Sequence, residues 1–389
     1  MWDGTSFVDL SNPRKPKALG FLETTGGVTG GLDGIENAWR DVKIVDNVAY
    51  IGSEVTFHGM QTFDLTRLRD LGRGNPKEDE TGNGIFSSPK NEKVVPILEA
   101  DYTAMEVTSS HNIVTIETRG EVMAVGLDAD APGCTPETSI LVDGGTFDNF
   151  ASMVIFDIAA DPVKPPLKNC VFIGQGWEES GYVHDAQCIN YHGPDPAYQG
   201  VNICVLFMES EIILFNMDEM EVINEFSYAG AAYVHQGWFS EGHDFLYTDD
   251  EADEVDRTAG PVGDADFSRC YIFDLTGGLE ADPGLPTIFV TPAEHPHIDH
   301  NLHIKGDLIY QAAYTAGARI RRINPDYPGV IEEVAYFDGD DLCKVVFGDN
   351  VPFTCDPYGG TWTFFPYFDS GIALAGSSPQ GLYILRPTL

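Results

Sequence analysis

A short apolar strand that ends in Asp or Asn and runs into a turn recurs along this chain, and this repeat constrains the fold more than any other feature. The clear copies are Phe7-Val8-Asp9-Leu10-Ser11-Asn12-Pro13, Gln61-Thr62-Phe63-Asp64-Leu65, Val154-Ile155-Phe156-Asp157-Ile158, Tyr271-Ile272-Phe273-Asp274-Leu275 and Arg321-Arg322-Ile323-Asn324-Pro325. Weaker copies are Ile213-Leu214-Phe215-Asn216-Met217 and Leu382-Tyr383-Ile384-Leu385-Arg386-Pro387. An Asp or Asn at this place closes the turn by bonding its own downstream backbone. A second strand follows each copy, near 18–22, 93–98, 169–174, 221–228, 286–290 and 332–337. A third begins near Trp39, His111, His184, His235, His300 and Trp362, and a fourth is its hairpin partner, near 48–53, 122–126, 203–207, 245–248, 308–312 and 372–375.

The third-strand starts are 72, 73, 51, 65 and 62 residues apart. A solenoid keeps a stricter period, whereas a propeller tolerates loops of variable length and removes exposed sheet edges by radial closure. The expectation is an all-β protein: a β-propeller of six or seven four-stranded blades, closed between N- and C-terminal strands. Six hairpin pairs against seven copies of the first element leave the count open between the two. The whole of 1–389 reads as one domain, with surface insertions near 72–91, 129–149, 251–267 and 339–357. The text after Met1 enters a strand directly, with no signal peptide, so upstream residues are expected to be missing from this sequence.

Charge narrows the choice of partners. The chain carries 61 Asp and Glu against 22 Lys and Arg, a net charge of −39. Such a polyanion is repelled by phosphate backbones and anionic membranes, so nucleic acid is excluded as a partner and cations are favoured. No stretch reaches transmembrane length. Of seven cysteines, Cys134 with Cys170, Cys188 with Cys204, and Cys343 with Cys355 pair naturally as local disulfides, leaving Cys270 alone. None forms a CxxC, which argues against zinc. Disulfides imply an oxidising compartment and an extracellular or cell-surface setting.

Several longer stretches carry a family resemblance. They are His184-Asp185-Ala186-Gln187-Cys188 with Tyr191-His192-Gly193-Pro194-Asp195, His235-Gln236-Gly237-Trp238, Asp249-Asp250-Glu251-Ala252-Asp253-Glu254, His300-Asn301-Leu302-His303-Ile304-Lys305-Gly306, Gly360-Thr361-Trp362 and the final Gly381–Pro387 segment. The blade text resembles LVIVD-repeat propellers, and the longer matches resemble the choice-of-anchor B family of surface proteins. The resemblance implies a propeller in an extracellular setting and no settled biochemical function.

The most informative chemical pattern opens each third strand: Arg40-Asp41, His111-Asn112, His184-Asp185, His235-Gln236, His300-Asn301 and Trp362-Thr363. Innermost strands of a propeller line one axis, so His111, His184, His235 and His300 are expected to form a channel ring able to bind a transition metal, with the following Asp, Asn or Gln orienting each imidazole. The plain structural reading is that these polar residues bond neighbouring blades. The run Asp249, Asp250, Glu251, Asp253 and Glu254, with Asp256, Asp264 and Asp266, suits Ca²⁺, although it lacks the EF-hand ladder; a solvated acidic loop is the alternative. Glu294-His295-Pro296-His297-Ile298-Asp299-His300 can also hold a metal, or simply lead into a strand.

The aromatics Trp177, Trp238, Trp362, Phe364, Phe365 and Tyr367 serve either to stack on a ligand or to fill the core. GxSxG, P-loop and GxGxxG signatures are missing. The leading expectation is a non-enzymatic secreted or cell-surface propeller that binds a ligand or protein at its face, with divalent cations taking part. The competing one is a metal-dependent hydrolase or lyase in which Asp41 or Asp185 serves as general base. A purely structural surface scaffold is the third.

Overall fold

The structure, a computed structural model, describes residues 4–26, 39–69, 71, 95–127, 131–147, 151–174, 182–253, 268–290, 297–339, 358–378 and 381–389. Cys343, Cys355, Glu254 and most of the expected insertions near 72–91, 251–267 and 339–357 lie outside these residues. Among the described residues the secondary structure is strand throughout, apart from two single 3-10 turns at Leu65–Leu68 and Glu117–Arg119. The strands form seven sheets, the blades of a seven-bladed β-propeller, which is the upper of the two expected counts. The chain divides into two compact units, Met1–Gly181 with three sheets and Tyr182–Leu389 with four.

The first sheet of the second unit shows how a blade is built. Asp185–Asn190, Asn202–Phe207, Ile212–Asn216 and Glu221–Phe226 pair antiparallel in that order. The second and third strands, NICVLF and IILFN, are buried along their whole length because both sheet faces are covered, so they read as continuous apolar runs. The fourth strand, EVINEF, lies at the edge and is partly exposed. In sheet order, the repeated apolar element is the third strand and the strand opened by His or Trp the first in every sheet but the N-terminal one, where the described strands begin with the repeated element.

The Asp or Asn of the repeat does what turn chemistry requires. Asp9 accepts from the Ser11 N–H at 2.8 Å, Asp64 from Thr66 at 2.8 Å, Asp157 from Ala160 at 2.9 Å, Asn216 from Asp218 at 3.0 Å, Asp274 from Thr276 at 2.9 Å and Asn324 from Asp326 at 2.9 Å. Each bond contributes about 1 kcal/mol and fixes where the edge strand starts. These bonds hold the Asp9 and Asp64 carboxyls below the ordinary carboxylate range.

Two local departures from the expected strand plan have clear causes. Ile97–Leu98 does not cap its own blade; it pairs parallel with Lys17–Glu23 of the N-terminal sheet, where the Leu98 side chain covers Gly20. The chain then turns at Asp101, whose carboxylate accepts the Asp64 N–H at 2.7 Å, and Tyr102–Ala104 becomes the edge of the sheet containing Met60–Asp64. The segment near 129–149 is more than a surface insertion, because Ser139–Val142 adds a fifth strand parallel to Leu167–Ile173. The Cys134–Cys170 disulfide ties this segment down. Cys188 and Cys204 face each other in register across the first hairpin of the second unit and are also bonded. Cys270 is a buried thiol.

Adjacent sheets are latched by side chains on the first strands. Gln187 Oε1 accepts the Phe239 N–H at 2.7 Å, and Gln236 accepts from Leu302 N–H at 2.9 Å while donating to Leu302 C=O at 3.1 Å. In the first unit Asp41 Oδ2 accepts the Ile113 N–H at 3.0 Å. Each latch satisfies a backbone group that the packing of one sheet on the next would otherwise strand away from water.

Closing the 36-residue span of Cys134–Cys170 and the 16-residue span of Cys188–Cys204 restricts the unfolded chain. Replacing each pair with serine is expected to lower stability by about 4 and about 3 kcal/mol, respectively, in urea melts. A loss near zero for both would contradict the pairing. His58 is fully buried, and burial pushes its imidazole down to about 4. Its ordinary value is about 6.5, so the unfolded chain binds the extra proton between those limits and stability falls as pH drops through that window, by about 3 kcal/mol from this residue. His58→Gln is expected to flatten the stability profile between pH 6.5 and 4; an unchanged slope would contradict this.

Candidate metal centre

Three histidines of the second unit stand in a row where the first strands of adjacent sheets begin. His184 precedes Asp185–Asn190, His235 lies in Val234–Phe239, and His300 leads into Leu302–Lys305. Ring centroids are 4.4 Å apart from His184 to His235 and 4.4 Å from His235 to His300, and Trp362 of the next sheet closes the row at 4.7 Å. His184 Nδ1 donates to the His235 carbonyl at 3.0 Å, and His300 Nδ1 to the Trp362 carbonyl at 2.5 Å. Each bond ties one sheet to the next. It also places the proton on Nδ1, leaving Nε2 with its lone pair.

Glu251 completes the group. It follows the strand Phe245–Asp250, and its N–H donates to the Tyr233 carbonyl at 3.0 Å. One carboxylate oxygen lies 3.6 Å from His235 Nε2 and the other 3.8 Å from His300 Nε2. One donor atom from each of His235, Glu251 and His300 falls within 4.8 Å of the others, and both histidines are buried. This group could hold a metal ion.

Beneath it lies a cluster of buried carboxyl groups. Asp249 Oδ1 sits 3.4 Å from His235 Nδ1 and accepts the Gln236 N–H at 3.1 Å. Asp249 and Asp299 are both fully enclosed, and one oxygen of each, Asp249 Oδ2 and Asp299 Oδ1, has no protein donor among the described residues. Burial raises the pKa of both carboxyls; the Asp299 carboxylate adds to the rise at Asp249, and Asp253 to that at Asp299. Arg321, also buried, is the cation facing Asp299, and it packs over the Phe289 ring at 5.5 Å.

The acidic run expected to bind calcium is distributed rather than gathered. Asp250 accepts from Tyr228 Oη, Ala232 N and Tyr233 N, each at 2.8 Å, and from Ala252 N at 3.2 Å. Asp253 accepts from Arg269 at 3.0 Å and Tyr271 Oη at 2.5 Å. Asp249 and Glu251 face the histidines, while Glu254, Asp256, Asp264 and Asp266 lie outside the described residues.

The remaining candidates are placed as follows. His111 belongs to the first unit, where Nδ1 meets Glu54 Oε1 at 2.5 Å. The Asp41 carboxylate pairs with Lys43 besides latching Ile113, and Asp185 Oδ1 accepts the Ala186 N–H at 2.7 Å. His297 Nε2 meets Ser268 Oγ at 2.8 Å, whereas Glu294, His295 and Trp177 lie outside the described residues. Phe364 is core. Trp238, Phe365 and Tyr367 gather around His303, with centroids at 5.0, 5.8 and 5.9 Å from its ring.

Sequence reasoning did not join Glu251 to the histidines and passed over Tyr314, whose hydroxyl donates to Glu251 Oε1. The available signal is positional. Just past the second strand of four blades stand Glu54, Glu209, Glu251 and Tyr314, while the blade of Glu121–Val125 has Gly126-Leu127 there. Of these, Glu54 meets the histidine of the following sheet, as Glu251 meets His300. Extending the repeat alignment by two residues beyond each second strand exposes the column.

The Asp253–Arg269 pair is almost fully buried, at 3% and 5% side-chain exposure. Asp253→Ala removes this carboxylate from beside a buried guanidinium and is expected to cost about 3–5 kcal/mol in chemical denaturation. A loss below 1 kcal/mol would show that Asp253 does not serve the fold.

No family model and no curated protein matches this sequence. Solved structures do match its fold. A Lactobacillus plantarum protein solved by structural genomics aligns over 99% of this chain and 87% of its own, with a TM-score of 0.53 at 9% identity. Kuenenia stuttgartiensis hydrazine synthase aligns over 99% of this chain and 90% of its own, with a TM-score of 0.51 at 8% identity. At these identities the likeness is one of fold alone.

Proposed function

We propose that this chain is an extracellular-type propeller that binds a divalent transition-metal ion through His235, Glu251 and His300, and presents that ion to a ligand or protein partner. The observation that carries the reading is the convergence of two imidazole nitrogens and one carboxylate within 4.8 Å, built by residues from two adjacent sheets. Two nitrogen donors select a first-row transition metal over calcium, which takes six to eight oxygens. The Nδ1–H bond of His300 to a carbonyl and the Asp249 carboxylate beside His235 Nδ1 supply the orienting partners that metal-bound imidazoles have.

Charge supports the same reading. Asp249 and Asp299 are buried and Glu251 is partly buried, and a dication offsets carboxylates that would otherwise be costly to keep ionised away from water. Three protein donors leave coordination positions open for an exogenous ligand, unlike a closed four-donor structural site. Two disulfides favour an oxidising compartment, and the net charge of −39 opposes nucleic acid as the partner. The repeat text supports a place among LVIVD-repeat propellers, near the choice-of-anchor B proteins.

Elemental analysis of protein purified without a metal-affinity tag tests this. The wild type is expected to carry near-stoichiometric zinc, manganese, iron or copper, and His235→Ala, Glu251→Ala and His300→Ala to lose it. His184→Ala, outside the donor group, is expected to keep it. Chelation should lower the melting temperature of the wild type and of His184→Ala but not of the other three variants, since a ligand at 100 times its Kd stabilises the fold by about 2.7 kcal/mol. Calcium as the retained metal, or equal metal in all four variants, would overturn the assignment.

A further inference from the structure

Tyr314 occupies a conformation that a tyrosine rarely adopts. Its φ is +33°, in the left-handed region that disfavours side chains with a Cβ, and such strain persists where surrounding structure enforces it. Here the enforcement comes from Gly360 and Thr361. The Thr361 N–H donates to the Tyr314 carbonyl at 2.9 Å, and Gly360, at φ +107°, passes so near that a Cβ there would lie 2.3 Å from that same oxygen. The side chain is enclosed by His300 at 4.7 Å, Tyr358 at 5.5 Å and Trp362 at 5.6 Å between ring centroids. Its phenol O–H is directed at Glu251 Oε1.

The repeat gives this position a second meaning. Its counterparts in three other blades are Glu54, Glu209 and Glu251, and Gly126-Leu127 in a fourth, so this blade presents a phenol where three others present a carboxylate. A carboxylate at 314 would set two anionic side chains against His300. A phenol instead donates a hydrogen bond to Glu251, engages Oε1, and leaves Oε2 directed at His235 Nε2, 3.6 Å away.

We propose that Tyr314 is the positioning residue of the metal centre: by holding Oε1 of Glu251 in a hydrogen bond, it makes Glu251 a one-oxygen ligand and so keeps the coordination number low. This rests on the metal-binding reading of His235, Glu251 and His300. Removing the phenol takes this hydrogen bond from Oε1 and makes that oxygen available to the ion as a second donor, which changes the geometry seen by the ion as well as its affinity.

Cobalt(II) is the probe, because its visible absorption weakens as coordination number rises. Titrated into metal-free wild type, cobalt is expected to give an intense visible band that saturates at one equivalent. Tyr314→Phe keeps the ring in its packing and removes only the hydroxyl. It is expected to bind one equivalent with a several-fold weaker, shifted band and roughly 10- to 100-fold lower affinity, while its metal-free melting temperature stays near that of the wild type. A band and affinity identical to the wild type would overturn the role of Tyr314 and leave the metal centre standing. A wild type that takes up no cobalt would overturn the metal centre itself. The wild type supplies a further check that needs no variant to fold: cobalt loading is expected to produce a tyrosine difference band in the near ultraviolet that saturates at the same equivalence, and a flat difference spectrum would count against the proposal.

Discussion

The site depends on one kind of interaction, the hydrogen bond from a histidine Nδ1 to the main-chain carbonyl of the next sheet. His184 makes it to His235, and His300 makes it to Trp362. Packed apolar faces are non-directional and do not by themselves fix the register of one blade on the next. A directional bond at the start of the first strand fixes that register. The geometry that spends Nδ1 on the lock also points Nε2 away from it. Blade locking and ligand presentation, set against each other in the sequence, are therefore two ends of one imidazole.

Glu251 turns a row of locks into a centre. Placed just beyond the second strand, it reaches the Nε2 of its own sheet's histidine and that of the next. Asp249 and Asp299, buried below, make the neighbourhood electron-rich in a region of low dielectric, which favours a cation over a neutral ligand. Asp250 and Asp253 are drawn into a separate network with Tyr228, Tyr271 and Arg269, which anchors the chain on either side of Glu251. The acidic run thus serves two purposes, and adjacent residues fall on different sides of the division.

Much of the fold was legible because its determinants are local. An Asp or Asn that bonds two residues downstream marks its turn in any context, and unbroken apolar runs such as NICVLF mark strands covered on both faces. What was not legible came from pairing at a distance. Nothing near Ile97 announces that it will lie parallel to a strand about 75 residues earlier, and nothing near Ser139 announces a fifth strand. The centre divides in the same way. The histidine column stood out because its members share a repeat position and a residue type. Glu251 was visible only as part of an acidic run, because its link to His235 and His300 is made by sheet packing. Tyr314 was hidden because it breaks the column of glutamates it belongs to.

X-ray absorption at the zinc edge, on protein loaded with one equivalent of zinc, tests the central claim most directly. The account predicts a first shell of nitrogen and oxygen near about 2.0–2.1 Å, with the outer-shell scattering of two imidazoles and none from sulfur. A shell of oxygen alone, without imidazole scattering, would place the ion elsewhere and return His300 to the single task of holding the blades together.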